Sequence, residues 1–179
     1  GQVKSKIYLV ENEKDIQKLR IDSKAKVAYV TQTTLSVDDT KSIINAIKKK
    51  YKNVIEPKKN DICYATTNRQ SAVKAIAEKC DLFIVIGAYN SSNSLRLVEV
   101  AKEYGSRKSI LLEKINEFDD NLLKNIKSIG ITASASAPEV LVQNFIKSLK
   151  SKYELKIFES KYNKENINFN IPNQLKIAN

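Results

Sequence analysis

Leu82 to Gly87 (Leu-Phe-Ile-Val-Ile-Gly) runs apolar without a break, the pattern of a parallel strand buried on both faces. Shorter apolar runs predict further strands at Lys6–Val10, which reads as short and buried, and at Val27–Thr31, Ile110–Leu112 and Ile129–Thr132. Between them the apolar spacing turns helical. Val37, Ile43, Ile44 and Ile47 predict a helix from Ser36 to about Lys50. Val73, Ile76 and Ala77 predict one over Ser71–Lys79. Val142, Phe145, Ile146 and Leu149 predict one opened by Pro138, a residue favoured at helix starts. Shorter helices are expected from Asn12 to about Leu19, around Asp119–Asn125, and from the Asn90–Ser94 loop to near Gly105. Strand–helix alternation implies small parallel α/β sheets with right-handed crossovers. Such sheets take ligands outside the carboxyl ends of their strands.

The order strand, short helix, strand, hydroxyl-rich loop and long helix occurs twice. Glu11 corresponds to Glu113, Thr31 to Thr132 and Tyr51 to Tyr153, at spacings of 102, 101 and 102 residues. The second copy has an additional front half, from the Cys63 loop through the strand at Leu82. The simplest account is a chain whose beginning is missing, since a two-stranded sheet is a poor core by itself. After Lys150 the alternation at Leu155–Glu159 and Ile167–Ile171 predicts two strands around a polar turn, in an Asn- and Lys-rich tail expected to pack on another domain.

Composition narrows the chemistry. With no histidine, the chain lacks the commonest general base and metal ligand. Two cysteines do not make a disulfide scaffold and point to a reducing compartment. No apolar run approaches membrane-spanning length, and a soluble protein is expected. The net charge of +11, from 31 Lys and Arg against 20 Asp and Glu, suits a nucleic-acid or anionic-ligand surface. It equally suits a Lys-, Asn- and Ile-rich composition, because the lysines are scattered and Lys48–Lys50 simply close a helix.

The candidate chemistry lies in hydroxyl-rich loops that run into helices. Ser36 with Asp39, Thr67 with Gln70 and Ser136 with Glu139 have capping-box spacing. Asn90-Ser91-Ser92-Asn93-Ser94 is a further loop of this kind. Each can cap a helix, and each carries more hydroxyls or amides than a cap needs. Several such helix starts facing one centre would hold a phosphate or diphosphate. No G-x-G-x-x-G or Walker sequence is present, which argues against a dinucleotide or NTP site. Cys80, between a helix end and the apolar strand, reads as a small core residue. Cys63, in a polar loop, reads as a nucleophile or as one ligand of a metal centre.

At these loops the chain resembles the LytB/IspH family of hydroxymethylbutenyl diphosphate reductases, iron–sulfur enzymes that end the non-mevalonate route to isoprenoids. The matching stretches are Thr31-Gln32-Thr33-Thr34-Leu35-Ser36-Val37-Asp38-Asp39, Asp61 to Gln70, Asn90 to Ser94, and Ala135-Ser136-Ala137-Pro138. The resemblance runs from Gly1 to about Leu175 and includes Glu165-Asn166-Ile167 and Pro172. It implies repeated α/β domains around a central cluster site, with the N-terminal domain missing. Residues 1–60 then correspond to the second domain, incomplete at its start; 61–150 to the third; and 151–179 to a tail packing on another domain.

The resemblance makes Cys63 the last of three cysteines holding a [4Fe-4S] cluster. Two further cysteine ligands, the family's motif histidines and its acidic proton donor are expected in the missing N-terminal part. Ser91, Ser92, Asn93 and Ser136 match diphosphate-binding residues. Thr33 matches the threonine near the substrate hydroxyl, where it assists proton delivery. Gly1-Gln2 matches the end of the family's Glu-Gly-Thr-x-Gly-Gln run, and Ser134 stands where the family usually has glycine. The implied reaction is reductive dehydroxylation of (E)-4-hydroxy-3-methylbut-2-enyl diphosphate to isopentenyl and dimethylallyl diphosphate, fed by a ferredoxin-type electron donor. The partners expected are the allylic diphosphate, that donor and the missing domain, with no nucleic acid and no membrane. The chain alone is expected to be inactive. Its composition suits a plastid of the apicoplast type rather than a bacterial cytoplasm. The rival reading is a non-catalytic phospho-ligand or nucleic-acid-binding α/β module.

Overall fold

A computed structural model describes residues 4–57 and 61–159. The expected strand at Ile167–Ile171, the tail matches at Glu165–Ile167 and Pro172, and Gly1-Gln2 lie outside the described residues. The elements follow in the order α1 (Glu13–Lys18), β1 (Lys26–Ala28), α2 (Val37–Lys50), β2 (Asn53–Ile55), α3 (Tyr64–Ile76), β3 (Leu82–Ile86), α4 (Ser92–Glu103), β4 (Lys108–Leu112), β5 (Ile129–Ala133) and α5 (Glu139–Lys152). Single turns of 3-10 helix occupy Ala77–Lys79, Ile115–Glu117 and Asp120–Leu123. Among the described residues β1 pairs with β2, and β3 stands between β4 and β5; every pairing is parallel.

β3 is the wall that the larger core is built on. Its five residues are no more than 1% exposed. Phe83 and Val85 meet Val73 of α3 and Leu97, Val100 and Ala101 of α4. Leu82, Ile84 and Ile86 meet Phe145 and Leu149 of α5 on the opposite side. Phe145 also packs edge-on against Phe118, with ring centres 5.0 Å apart. Burying each large apolar side chain contributes about 1.5–3 kcal/mol, so this strand carries much of the fold's stability. Gly130 of β5 is required by the packing: a Cβ there would lie 2.5 Å from the Phe83 ring and 2.8 Å from the Cys80 sulfur. Asp81, just before β3, accepts from the Lys127 and Ser128 backbone N–H groups at 3.0 and 3.2 Å. These donors, Lys127 first, hold its carboxyl below the usual range and pin the start of β5 to the start of β3.

The first sheet has a smaller core of Ile16, Ile47 and Tyr51, with Val27 and Val54 beside them. The Lys50 ammonium donates to the carbonyls of Ile16, Gln17 and Leu19 at 2.6, 2.9 and 2.8 Å. It thereby caps the carbonyl end of α1, sharing the Ile16 carbonyl with the Leu19 N–H. The internal repeat has a structural counterpart. α2 and α5 both have 14 residues, and each closes at a tyrosine whose N–H donates four residues back, Tyr51 to Ile47 and Tyr153 to Leu149.

Several expectations are corrected. Lys6–Val10 is not a buried strand: Ile7 and Leu9 are 74% and 84% exposed. Its repeat counterpart β4 is a strand because β3 lies beside it, and no described strand lies beside Lys6–Val10. β1 stops at Ala28 rather than Thr31, because β2 offers only three partners and the Thr31 N–H goes to the Asp61 carboxylate at 2.9 Å. Leu155–Glu159 forms no strand; Leu155 joins the core under β3 instead. β2, at the corresponding place in the first copy, was absent from the expected elements.

The two sheets are joined by charged side chains at the start of α2. Asp38 accepts from the Lys74 ammonium at 2.5 Å and from the Tyr104 hydroxyl at 2.6 Å. Asp39 pairs with Arg96 of α4. The hydrogen bond from Lys74, then that from Tyr104, holds the Asp38 carboxyl below its ordinary value of 3.8. A depressed carboxylate adds stability that is present above the unfolded pKa and is lost as pH falls through the folded one. Asp38→Asn is therefore expected to destabilise the protein at pH 7 by less than about 1 kcal/mol, since the pair is solvent-screened. The gap in urea midpoint should close as the pH drops below about 4. An equal gap at pH 7 and pH 3 would count against this role.

Candidate functional site

The loops at the carboxyl ends of β1, β3 and β5 are tied to one another through α3. The Cys63 N–H donates to the Thr33 carbonyl at 3.1 Å, joining the loop after β1 to the start of α3. Two turns further on, the Gln70 amide donates to the Leu35 carbonyl at 3.1 Å. Arg69 donates through Nε to the Ala133 carbonyl, the last residue of β5, at 3.2 Å. Ser134 follows. Its N–H donates to the Ile86 carbonyl at 2.8 Å, fixing it beside the end of β3. Its hydroxyl accepts from the Asn93 amide Nδ2 at 3.1 Å.

The start of α4 is the most enclosed part of this cluster. Ser91 caps the helix, its hydroxyl accepting from the Ser94 N–H at 3.3 Å. Asn93 and Ser94 are 6% and 0% exposed, and Asn93 Oδ1 and Ser94 Oγ have no hydrogen-bond partner among the described residues. Buried polar atoms are nearly always paired, so two orphans at one helix start make it the candidate position for a polar ligand. Gly87 makes the close approach possible. A Cβ there would collide with Ser94 Oγ and lie 3.1 Å from the Ser134 Cβ.

The residues singled out from sequence thus fall on one set of linked loops, though with different local roles. Thr33 is an exposed turn residue, and Ser92 and Ser136 are exposed at their loops. Three capping expectations change. Ser36 stands at the N-cap of α2 without a side-chain bond. α3 starts at Tyr64, so Thr67 lies inside it and Cys63 is the cap. α5 starts at Glu139 behind Pro138, so Ser136 sits in the preceding turn. Asp61, Arg69 and Ser134 had no assigned role from sequence, and Gln70 had only that of capping-box partner to Thr67. All four act over 30 or more residues of separation, beyond the reach of spacing rules.

The two cysteines separate cleanly. Cys80 is buried, its thiol lies 3.2 Å from the Ile76 carbonyl, and burial pushes its pKa up. Cys63 is free and exposed at the start of α3. Among the described residues no three His, Cys, Asp or Glu side chains gather to hold a metal. A single exposed thiol such as Cys63 can supply one thiolate to a metal centre and no more. A cluster held by the described residues alone does not fit.

This is a parallel α/β protein with its polar loops gathered where such sheets take ligands. The family model for the LytB protein matches residues 1–150, and the chain belongs to that family. It is 50% identical over 171 residues to a protein of Actinobacillus succinogenes named 4-hydroxy-3-methylbut-2-enyl diphosphate reductase, covering 96% of this chain and 54% of that one. A protein of the same name from Gluconobacter oxydans is 47% identical over 169 residues, covering 94% and 50%. The solved structure of the E-1-hydroxy-2-methyl-but-2-enyl-4-diphosphate reductase from Plasmodium falciparum superposes with a TM-score of 0.82 at 36% identity, covering 93% of this chain and 53% of that one. The chain spans about half the length of the curated relatives it matches. No helix among the described residues is long and apolar enough to cross a membrane.

Proposed function

We propose that this chain is the second and third domains (1–60 and 61–150, with the tail 151–179) of a hydroxymethylbutenyl diphosphate reductase. The observation that carries the reading is the backbone tie between Cys63 and Thr33, with one exposed thiol at the start of α3. The reductase names of relatives at 47–50% identity support it. Ser91, Ser92, Asn93 and Ser136, with the N-terminus of α4, bind the diphosphate. A helix start favours an anion by about 0.3–1 kcal/mol, and more when partly buried. Thr33 stands at the hydroxyl end of the substrate and passes a proton toward the departing oxygen. Cys63 gives its thiolate to a [4Fe-4S] cluster, whose two other cysteine ligands come from the N-terminal domain. When bound, that cluster supplies electrons and a Lewis-acidic iron for the leaving hydroxyl. Two electrons and two protons convert the substrate to isopentenyl or dimethylallyl diphosphate and water. A ferredoxin-type protein is the electron source.

The test is made on the full-length protein after anaerobic cluster reconstitution. Adding hydroxymethylbutenyl diphosphate is expected to oxidise reduced viologen in proportion to substrate. An intact cluster without substrate-dependent oxidation would overturn the reading in favour of a phospho-ligand module. For location, composition argues for an apicoplast-like plastid and the bacterial relatives argue for a bacterial cytoplasm. A transit peptide encoded upstream of Gly1 would decide for the plastid.

A further inference from the structure

We propose that Ser134 is the positioning residue that turns the Asn93 amide toward the diphosphate, an inference that rests on the function proposed above. Asn93 Nδ2 donates to Ser134 Oγ, and Asn93 Oδ1 is buried without a partner among the described residues. That arrangement leaves the acceptor oxygen of the amide, not a donor, unsatisfied at the helix start. An anion needs the opposite. Reversing the amide brings Oδ1 to Ser134 and turns Nδ2 outward with its donors free. Only a group that both accepts and donates can hold the amide in either orientation, and a hydroxyl does both. Ser134 is held in place for this: it is 1% exposed, its N–H is bonded to the Ile86 carbonyl, and its carbonyl accepts from the Ala137 N–H at 3.0 Å. The Gly87 backbone, close to its Cβ, bounds it on the β3 side. Alanine at 134 would keep this packing and hold the amide in neither orientation.

The experiment uses the full-length protein, with inorganic pyrophosphate as the probe in calorimetric titration and hydroxymethylbutenyl diphosphate as the substrate in turnover. Ser134→Ala is expected to weaken pyrophosphate binding about tenfold, the scale of one hydrogen bond to a charged group. It should raise KM similarly and leave kcat within about twofold, as expected when ground-state and transition-state binding are lost together. In an Asn93→Ala background the same change should add less than twofold, because the two residues act as a unit. Ser109→Ala, at a buried serine near the start of β4, should leave pyrophosphate affinity unchanged. Unchanged affinity and KM in Ser134→Ala, or effects additive with Asn93→Ala, would overturn the proposal. So would a fall in kcat and thermal stability without any change in affinity. If the wild type lacked turnover, the reductase reading would fail while pyrophosphate titration still decided the role of Ser134.

Discussion

Cys63→Ala in the full-length protein is expected to abolish substrate-dependent viologen oxidation, by at least about 100-fold, because even supporting partners of metal ligands cost up to that much. Iron and labile sulfide should fall with it. Cys80→Ala is the control within the same chain. Its thiol is buried beside the Ile76 carbonyl and the Phe83 layer, and its removal leaves the loops untouched. It should retain turnover and cluster content. Before reconstitution, a maleimide should label Cys63 rapidly and Cys80 slowly, since one thiol is exposed and the other buried. A Cys63→Ala protein with a full cluster and undiminished turnover would remove this residue from the site.

The second large effect is on stability. Phe83 is fully buried on the α3/α4 side of β3, against Gly130 and Cys80. Phe83→Ala is expected to cost about 3–5 kcal/mol, the usual range for emptying an aromatic site in a core. That should lower the urea midpoint by about 1 M or more. Gly130→Ala alone should cost about 1–3 kcal/mol by overpacking, because the new methyl meets the Phe83 ring. The two changes should be strongly non-additive. Once the ring is gone, the methyl at 130 occupies part of the space it left, so the second substitution becomes neutral or favourable. Simple additivity would mean that the ring and the glycine do not share this space.

What was legible in the sequence follows from how local each cause is. β3, α2 and α5 were readable because a continuous apolar run and an i, i+3, i+4, i+7 stripe are local consequences of burial. Lys6–Val10 carries an equally good strand pattern, yet a strand exists only where a neighbour pairs with it, and residue patterns do not record neighbours. The capping spacings showed the same weakness. At Thr67 the spacing is present, but the helix cap falls four residues earlier, at Cys63, whose backbone is tied to the Thr33 carbonyl. The site loops were recognised by their residue types and by resemblance. The Asn93–Ser134 hydrogen bond was not, since it joins residues 41 positions apart.

The burial of β3 on both faces has a consequence on the timescale of exchange with solvent. Its five residues are shared by two apolar clusters, so neither layer can open without exposing the wall of the other. The amides of Leu82–Ile86 should therefore be the slowest to take up deuterium. They should exchange together with those of β4 and β5, as one cooperative unit. β1 and β2, three residues each over a smaller core, should exchange earlier and independently. Thr33 and the loops at β3 and β5 then belong to segments that open at different rates. Cys63 lies at the seam between the lobe expected to open first and the one expected to open last.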